Sequence, residues 1–463
     1  MLEVSTVKKL TDIVGSEDIL TSKEERICYA YDATNQQFLP DAVLFPRSAN
    51  EISEIMRLAN SEGFPVIPRG AGSGTSGGSL PVNRGVVLSL EQMNRIVEID
   101  SDNLTAVVEP GVVNVDLQMA AEKHGLFFPP DPSSLKFCTI GGNIAECAGG
   151  PRAVKYGVTR DYILSLEVVL PTGEIIETGV RTLKGVVGYD LTRLMVGSEG
   201  TLGVVTKATV KLLTRPAAVK TMLAIFKDLS DAGRAVISIM NSRILPSALE
   251  LMDMVSIRCV EESLNLGIPC EAEAILLIEL DGEEGLIERQ SEEVREVCGS
   301  HDALNFRVAA GKMEVRELWR VRRAIPPALI KIKPDKINED VVVPKSRIPD
   351  LITGVQGIAN EKKLTIASFG HAGDGNIHVN IMVDKSDPDE ARRGKEAVEE
   401  VFKLTIDLGG TISGEHGVGT AKAPYIEMEL KPPVINLMRR IKETLDPKGV
   451  LNPGKIFPVM EGE

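Results

Sequence analysis

The sequence predicts an α+β protein of more than one domain, and three observations carry that prediction. The chain has 463 residues, too many for one ordinary core, so two or three domains are expected. Its first part is rich in glycine and in short strand-like runs. Beyond Thr214, Arg215 and Pro216 the rhythm changes to strand–helix alternation, the pattern of helices on one face of an antiparallel sheet.

The elements follow in order. Residues 41–70 read strand, helix, strand. Ser48 and Glu51 fit a capping box, and Ile52, Ile55, Met56 and Ala59 give one apolar helical face. Residues 64–68 form a short strand that runs straight into glycine. Residues 86–90 and 105–109 are strand-like, residues 165–178 suggest a hairpin around Pro171, Thr172 and Gly173, and residues 203–213 another strand. After residue 216, strands are expected at 221–226 and 274–280. Helices are expected at 229–242, 286–297, 315–331, 390–407 and 432–445.

Composition bounds the function. Hydrophobic content of 43% and charged content of 25% are ordinary for a globular protein. The net charge of -14, from 52 basic and 66 acidic residues, argues against nucleic acid as a partner, since phosphate binding needs a basic field. No apolar run approaches the ~20 residues that span a bilayer, and residues 1–15 lack a signal-peptide pattern. A cytoplasmic location is expected, with membrane association only through partners. The six cysteines (28, 138, 147, 259, 270, 298) form no C-x-x-C pair and are expected as reduced, buried thiols. An iron–sulfur cluster held by this chain alone is not expected.

Residues 68–79 hold five glycines between Gly70 and Gly78. A strand ending in such a run can fold its N–H groups into an anion-binding nest, and glycine lets a phosphate approach closely. The spacing fits neither a Rossmann fingerprint, which needs a following helix, nor a Walker loop, which needs Gly-Lys-Ser/Thr. Residues 139–150 and 197–203 repeat the theme. Three glycine clusters in one β-rich region point to backbone packed around a long ligand with a pyrophosphate.

A second constellation lies downstream. His371 and His378 flank a Gly-Asp-Gly turn between strand-like runs, and Glu415 and His416 follow among glycines. In residues 377–383, Ile377, Val379, Ile381 and Val383 share one face. His378, Asn380 and Met382 share the other, which is expected to point away from the core. A hairpin would set His371 beside His378. Glu415 supplies an oxygen ligand if its loop folds over them. Two imidazoles and a carboxylate leave open positions, which suits a catalytic metal. Zn²⁺, Mn²⁺ and Fe²⁺ all accept this set. His124 and His301 lie outside any motif and read as structural or surface residues.

Taken together, the loop at 69–78, the Pro-Pro-Asp-Pro run at 129–132, the cluster at 139–150, Lys155-Tyr156-Gly157, residues 197–203, His371 to His378, Gly414 to Gly417 and residues 451–454 resemble the vanillyl-alcohol oxidase/PCMH superfamily. The resemblance is sharpest to its D-2-hydroxyacid dehydrogenase branch, the glycolate oxidase FAD-subunit and D-lactate dehydrogenase family. It implies a PCMH-type FAD-binding domain of two α+β subdomains at 1–215. A substrate (cap) domain with an antiparallel sheet and the metal hairpin would follow at 216–410, and a short helical segment returning to the flavin at 411–463. Arg69, Gly70, Ala71, Gly72, Ser73 and Gly74 would cradle the FAD pyrophosphate, with Ser79 nearby. Pro130, Asp131, Thr139, Gly142, Asn143, Ala145 and Gly149 would line the cofactor, Glu199 and Val204 would lie on its far side, and Asn452 would close over it. Cys147 departs from the family, which usually has Asn there. The first glycine loop holds no His of the kind that tethers flavin, so FAD is expected to be non-covalent.

The resemblance also implies that His371, His378 and Glu415 bind the divalent metal and that His416 is the catalytic base. Arg322, three residues after Trp319, would hold the substrate carboxylate; a guanidinium suits bidentate binding. Lys336 would be a second anion anchor, and Asn380 would meet the substrate beside His378. The implied activity is oxidation of a small D-2-hydroxy acid at a site between domains, with hydride passing to flavin N5. An iron–sulfur subunit, an electron-transferring flavoprotein or a quinone would take the electrons, and a homodimer is a possible assembly. Two other classes remain: a flavin-free metalloenzyme with non-haem iron or zinc, which leaves the glycine clusters unexplained, and a non-catalytic electron-relay flavoprotein subunit.

Overall fold

The computed structural model describes residues 2–264, 269 and 271–458. They gather in two compact units. One comprises Met1–Gly149, Val158–Arg215 and Glu415–Glu463, the other Gly150–Gly157 and Pro216–Gly414.

The first unit contains two main sheets. In the four-stranded one the order is Ile19–Leu20, Ala42–Leu44, Val86–Ser89, Val66–Arg69, and the last three strands run parallel. The helix Ala49–Glu62 joins two of them. Its face Ile52, Ile55, Met56 and Ala59 is buried as the spacing predicts. Ser48 accepts the Glu51 N–H, but Glu51 returns its bond to the Arg47 N–H, one residue earlier than a capping box places it. The second sheet has the order Ile96–Asp100, Thr105–Val108, Val204–Lys211, Ile163–Val169, Ile175–Gly179 and is antiparallel. Its turn at 171–174 puts Gly173 at φ +86°, which favours glycine there. One core joins both sheets: Leu44, Ile52, Met56, Val86 and Leu88 pack with Val169, Val204 and Leu451.

The second unit is built on a seven-stranded antiparallel sheet, ordered Ala303–Val308, Ala218–Phe226, Ala274–Gly282, Ala248–Asp253, Thr365–His371, Asn376–Val383, Asp335–Val342. Helices cover both faces, not one. Leu229–Asn241, Glu284–Ser300, Ile348–Lys362 and Pro388–Asp407 pack on the first face, where Ser291 meets Met222. On the opposite face Met254–Leu264 and Lys312–Ala328 bury Ile225, Ile275, Met252, Phe369 and Met382 against Ile257, Leu318, Trp319 and Ile325. That second face is too apolar to be left to water. The face bearing His378, Asn380 and Met382 therefore lies inside a second core instead of pointing away from one.

The segment Gly150–Gly157 is tied to the sheet through Asp281 and, by Arg152 Nη2 at 3.5 Å from Oε1, through Glu279. Asp281 accepts from Tyr156 Oη at 2.7 Å and from Lys155 Nζ, whose ammonium also donates to the Asp281 carbonyl at 2.8 Å. Cys138, Cys259 and Cys298 are buried and outside any disulfide, Cys147 is half-buried and Cys28 exposed. Cys270 lies outside the described residues. His301 bonds Ser238, and His124 bonds Ser101 at the surface. Among the described residues no helix is long and apolar enough to cross a membrane.

Candidate functional site

In the first unit the strand Val66–Arg69 ends at the glycine loop. Arg69 is buried. Its guanidinium donates to the Tyr31 carbonyl at 2.9 Å and Ser79 Oγ at 3.3 Å, and stacks over the Tyr29 ring. Burial lowers its pKa, and the charge of Asp32 opposes that shift. The loop is tight at its glycines. A Cβ on Gly70 would stand 2.4 Å from Thr139 Oγ1, and one on Gly72, at φ +64°, would stand 2.0 Å from the Arg69 guanidinium. Ala71 at the tip is exposed; Ser73 and Gly74 are half-buried.

Thr139 caps the short helix Ile140–Glu146 by accepting the Gly142 N–H. The third glycine cluster packs against that helix, with the Glu199 and Gly197 N–H groups on the Ala145 and Ile144 carbonyls. Asn452, at φ +44°, returns from the C-terminal segment, and its amide donates to the Gly78 and Glu199 carbonyls at 2.9 and 2.8 Å. Pro130 is buried and receives Asn114. Asp131 is half-buried. Gly149 lies against the Glu415 carboxylate, where a Cβ would come within 2.7 Å. Val204 differs from its neighbours here, because its side chain belongs to the core. Cys147 takes φ +54° at the end of the capped helix. That left-handed position suits Asn, which accounts for the family's usual residue; Cys147 occupies it at a strain cost.

Thr75 Oγ1, Ser76 Oγ, Asn143 Nδ2 and Asn452 Oδ1 are buried without a hydrogen-bond partner in the protein among the described residues. Each costs about 1–3 kcal/mol unless a ligand or water meets it. Together with the Gly70–Gly72 approach they fit a long polar ligand bound along this loop.

In the second unit the hairpin of Thr365–His371 and Asn376–Val383 sets His371 and His378 edge to face, ring centroids 5.2 Å apart. Both are buried. His371 Nδ1 lies 2.6 Å from Glu250 Oε1, and Arg322 Nε donates to Glu250 Oε2 at 2.6 Å. Burial alone would raise the Glu250 pKa. The charges of His371 and Arg322 outweigh it and hold the carboxyl at about 2. Arg322 comes from the helix Lys312–Ala328 and stacks 4.6 Å over Phe369. Strand register puts Asp340 opposite His378 and Asn338 opposite Asn380. Asp340 also accepts from Asn376 Nδ2 at 2.6 Å and from the Gly414 N–H at 2.9 Å. The amide oxygens of Asn338 and Asn380 are buried without a partner among the described residues. Lys336, on the same face, has its pKa lowered by burial.

The hairpin thus brings His371, His378 and Asn380 together, with Arg322 joined to them through Glu250. Glu415 and His416 open the C-terminal return of the first unit. Sequence reasoning missed Glu250, Asp340 and Asn338. For Glu250 the available signal was an acid inside a largely apolar strand, whereas Asn338 and Asp340 lie in the polar strand Asp335–Val342 and do not stand out there. An imidazole whose Nδ1 is held by a carboxylate presents Nε2 in a fixed direction, the usual arrangement around metal-binding histidines, so this donor set fits a divalent cation.

The two units together define a flavin-dependent oxidoreductase. Residues 40–179 match the FAD binding domain model, and residues 215–456 match the model of the C-terminal domain of FAD linked oxidases. The chain is 45% identical over 458 residues to the glycolate oxidase subunit GlcD of Bacillus subtilis, covering 99% of this chain and 97% of that protein. It is 38% identical to a D-lactate dehydrogenase of Archaeoglobus fulgidus, with 92% and 95% covered. Crystalline p-cresol methylhydroxylase superposes with a TM-score of 0.82 at 16% identity, covering 99% of this chain and 97% of that one, so the fold is PCMH-type. The chain belongs to the FAD-linked oxidase family. The flavin-free reading falls with the FAD binding domain match.

Proposed function

We propose that this chain oxidises a small D-2-hydroxy acid, of the lactate or glycolate kind, to the 2-oxo acid, with non-covalent FAD and a divalent cation. The names of the relatives, glycolate oxidase and D-lactate dehydrogenase, support the substrate class. When bound, FAD supplies the hydride acceptor and the cation lowers the pKa of the α-hydroxyl. Arg69, the loop 70–74, Ser79, Thr139, Asn143 and Asn452 would hold the cofactor. His371, His378 and Glu415 would hold the cation. Gly414, one peptide bond before Glu415, is itself tied to Asp340 on the strand opposite His378.

The observation that carries the reading is the Glu250 bridge. One buried carboxylate fixes a metal-ligand imidazole through Nδ1 and a guanidinium through Nε. It leaves the Nη edge of Arg322 to bind the substrate carboxylate. His416 Nε2 or Nδ1 takes the hydroxyl proton, a role worth about 10²–10⁴ in rate. Lys336 and Asn380 complete the anion site. The relative named as a subunit supports work within an assembly that passes electrons to an iron–sulfur subunit, an electron-transferring flavoprotein or a quinone.

The test is anaerobic mixing of the FAD-loaded protein with D- and L-2-hydroxy acids. D-lactate or glycolate should bleach the flavin, and His416→Ala should stop the bleaching while FAD stays bound. No bleaching by any member of the panel, or an unchanged rate in His416→Ala, would defeat the proposal.

A further inference from the structure

Beneath the glycine loop of the first unit lie five buried or half-buried charged side chains: Asp32, Glu146, Glu199, Lys422 and Lys455. Glu199 accepts the Val418 N–H at 2.7 Å and the Gly419 N–H at 2.6 Å. Those are the second and third residues after His416. Glu146 approaches the same turn from the end of the helix Ile140–Glu146. A Cβ built on Gly417 would stand 2.3 Å from Glu146 Oε2 and 3.0 Å from Glu199 Oε1, so both carboxyl groups converge on one backbone position. Gly417, at φ +83°, is the residue that lets them do so. Glu146 Oε2 is buried and has no hydrogen-bond partner among the described residues.

We propose that Glu146 and Glu199 form a two-carboxyl clamp with a single negative charge, and that it positions the turn 416–419 and with it the His416 imidazole. The role for His416 rests on the function proposed above. Two bare carboxylates converging on one dry point repel each other, so one keeps its proton. Glu199 is the ionised member, because two backbone donors point at it, and Lys455 and Lys422 favour its charge against the burial that opposes it. Glu146 is the neutral member. Burial pushes its carboxyl well above the usual range, and the charges of Glu199 and Asp32 push it further. Lys455 and Lys422 favour the charge of Glu199, whereas the groups that act on Glu146 all raise its pKa. Asp32 is occupied by Thr34 through Oδ1. When alkaline pH drives the Glu146 proton to solvent, the second charge appears beside Glu199 and the clamp loosens.

The experiment is hydrogen exchange of peptides covering residues 415–420 in the FAD-loaded protein, across neutral and alkaline pH, beside the pH profile of kcat. Native protein should lose protection of the Val418 and Gly419 amides on the alkaline side, with a parallel fall in kcat. Glu146→Gln keeps a neutral side chain of the same shape. It should hold the protection and flatten both alkaline limbs. Glu199→Gln should lower protection about tenfold near neutral pH, the scale of losing charge-assisted hydrogen bonds, and Glu199→Asp should restore part of it. Identical alkaline dependence in native and Glu146→Gln protein would overturn the clamp. So would loss of neutral protection in Glu146→Gln. Exchange reads the clamp and flavin bleaching reads the base: if His416→Ala bleaches normally, the proposed role of His416 fails while the exchange result still decides the clamp.

Discussion

Glu250 and His371 stand directly opposite each other on adjacent antiparallel strands, with Glu250 Oε1 2.6 Å from His371 Nδ1. The second carboxylate oxygen of Glu250 is taken by Arg322. One buried anion therefore sets the tautomer and ring direction of a histidine and the pose of an arginine. Removing its charge frees both.

With His371 as a ligand of the proposed cation, Glu250→Gln should lower divalent metal affinity about 10–100-fold, the usual effect of losing a carboxylate behind a metal-binding histidine. FAD absorbance should stay, because the residues proposed to hold the cofactor lie in the other unit. Metal analysis after dialysis, beside the flavin spectrum, checks this. The same variant leaves Arg322 buried without its counter-charge, which costs about 3–5 kcal/mol, and thermal unfolding should shift down accordingly.

The glycine loop makes a separate prediction. Gly72→Ala forces a Cβ into the Arg69 guanidinium at a position with φ +64°. Gly70→Val would push against Thr139 Oγ1, which caps the helix Ile140–Glu146. Both variants should purify with a reduced FAD-to-protein ratio while thermal unfolding of the second unit is retained. In native protein, acid precipitation should release all of the flavin to the supernatant. Yellow colour left on the pellet would contradict non-covalent binding.

How much of this was legible differs by residue type. The loop at 69–78 announced itself because close backbone approach excludes side chains, and several glycines at short spacing record that constraint locally. The hairpin was legible for a similar reason: a period-two pattern on either side of a Gly-Asp-Gly turn. Period two says which residues share a face, but not what covers it. The His378 face therefore read as outward, whereas Leu318, Trp319 and Ile325 of the helix Lys312–Ala328 share a second core with Phe369 and Met382 of the sheet. Glu250 left only a weak local trace, an acid in a largely apolar strand, since its partner His371 is 121 positions away. A single acid in an apolar strand does not say what it binds. Helices on both faces of the sheet were hidden for the same reason, because helical spacing in 312–328 does not name the face it packs on.

Asp281 tests how a short motif contributes to stability. It is nearly buried and receives both Lys155 and Tyr156, so it is a main tie of the segment Gly150–Gly157 to the sheet, beside the longer Arg152–Glu279 pair. Asp281→Ala should lower stability by about 1.5–3 kcal/mol, the range for hydrogen bonds to a charged group. Tyr156→Phe should cost about 1 kcal/mol. Denaturant midpoints at constant slope measure both, and equal losses in the two variants would argue against Asp281 as the shared anchor.

Arg322 is the residue at which charge and shape can be separated. Its Nε is committed to Glu250, its guanidinium plane lies 4.6 Å from the Phe369 ring centroid, and it is almost wholly buried. A lysine keeps the charge, but it has no planar face to stack on Phe369 and no second edge once one donor is used. Arg322→Lys should therefore cost far more than a conservative exchange. The expected loss is about a hundredfold in kcat/KM for the hydroxy acid, within the 2–5 kcal/mol typical of breaking a buried, hydrogen-bonded charge pair. If Arg322 holds the substrate carboxylate, the loss should fall mainly on KM. An alcohol lacking the carboxylate should then distinguish native and variant protein much less. Equal losses for the acid and the alcohol would assign Arg322 to the Glu250 bridge alone.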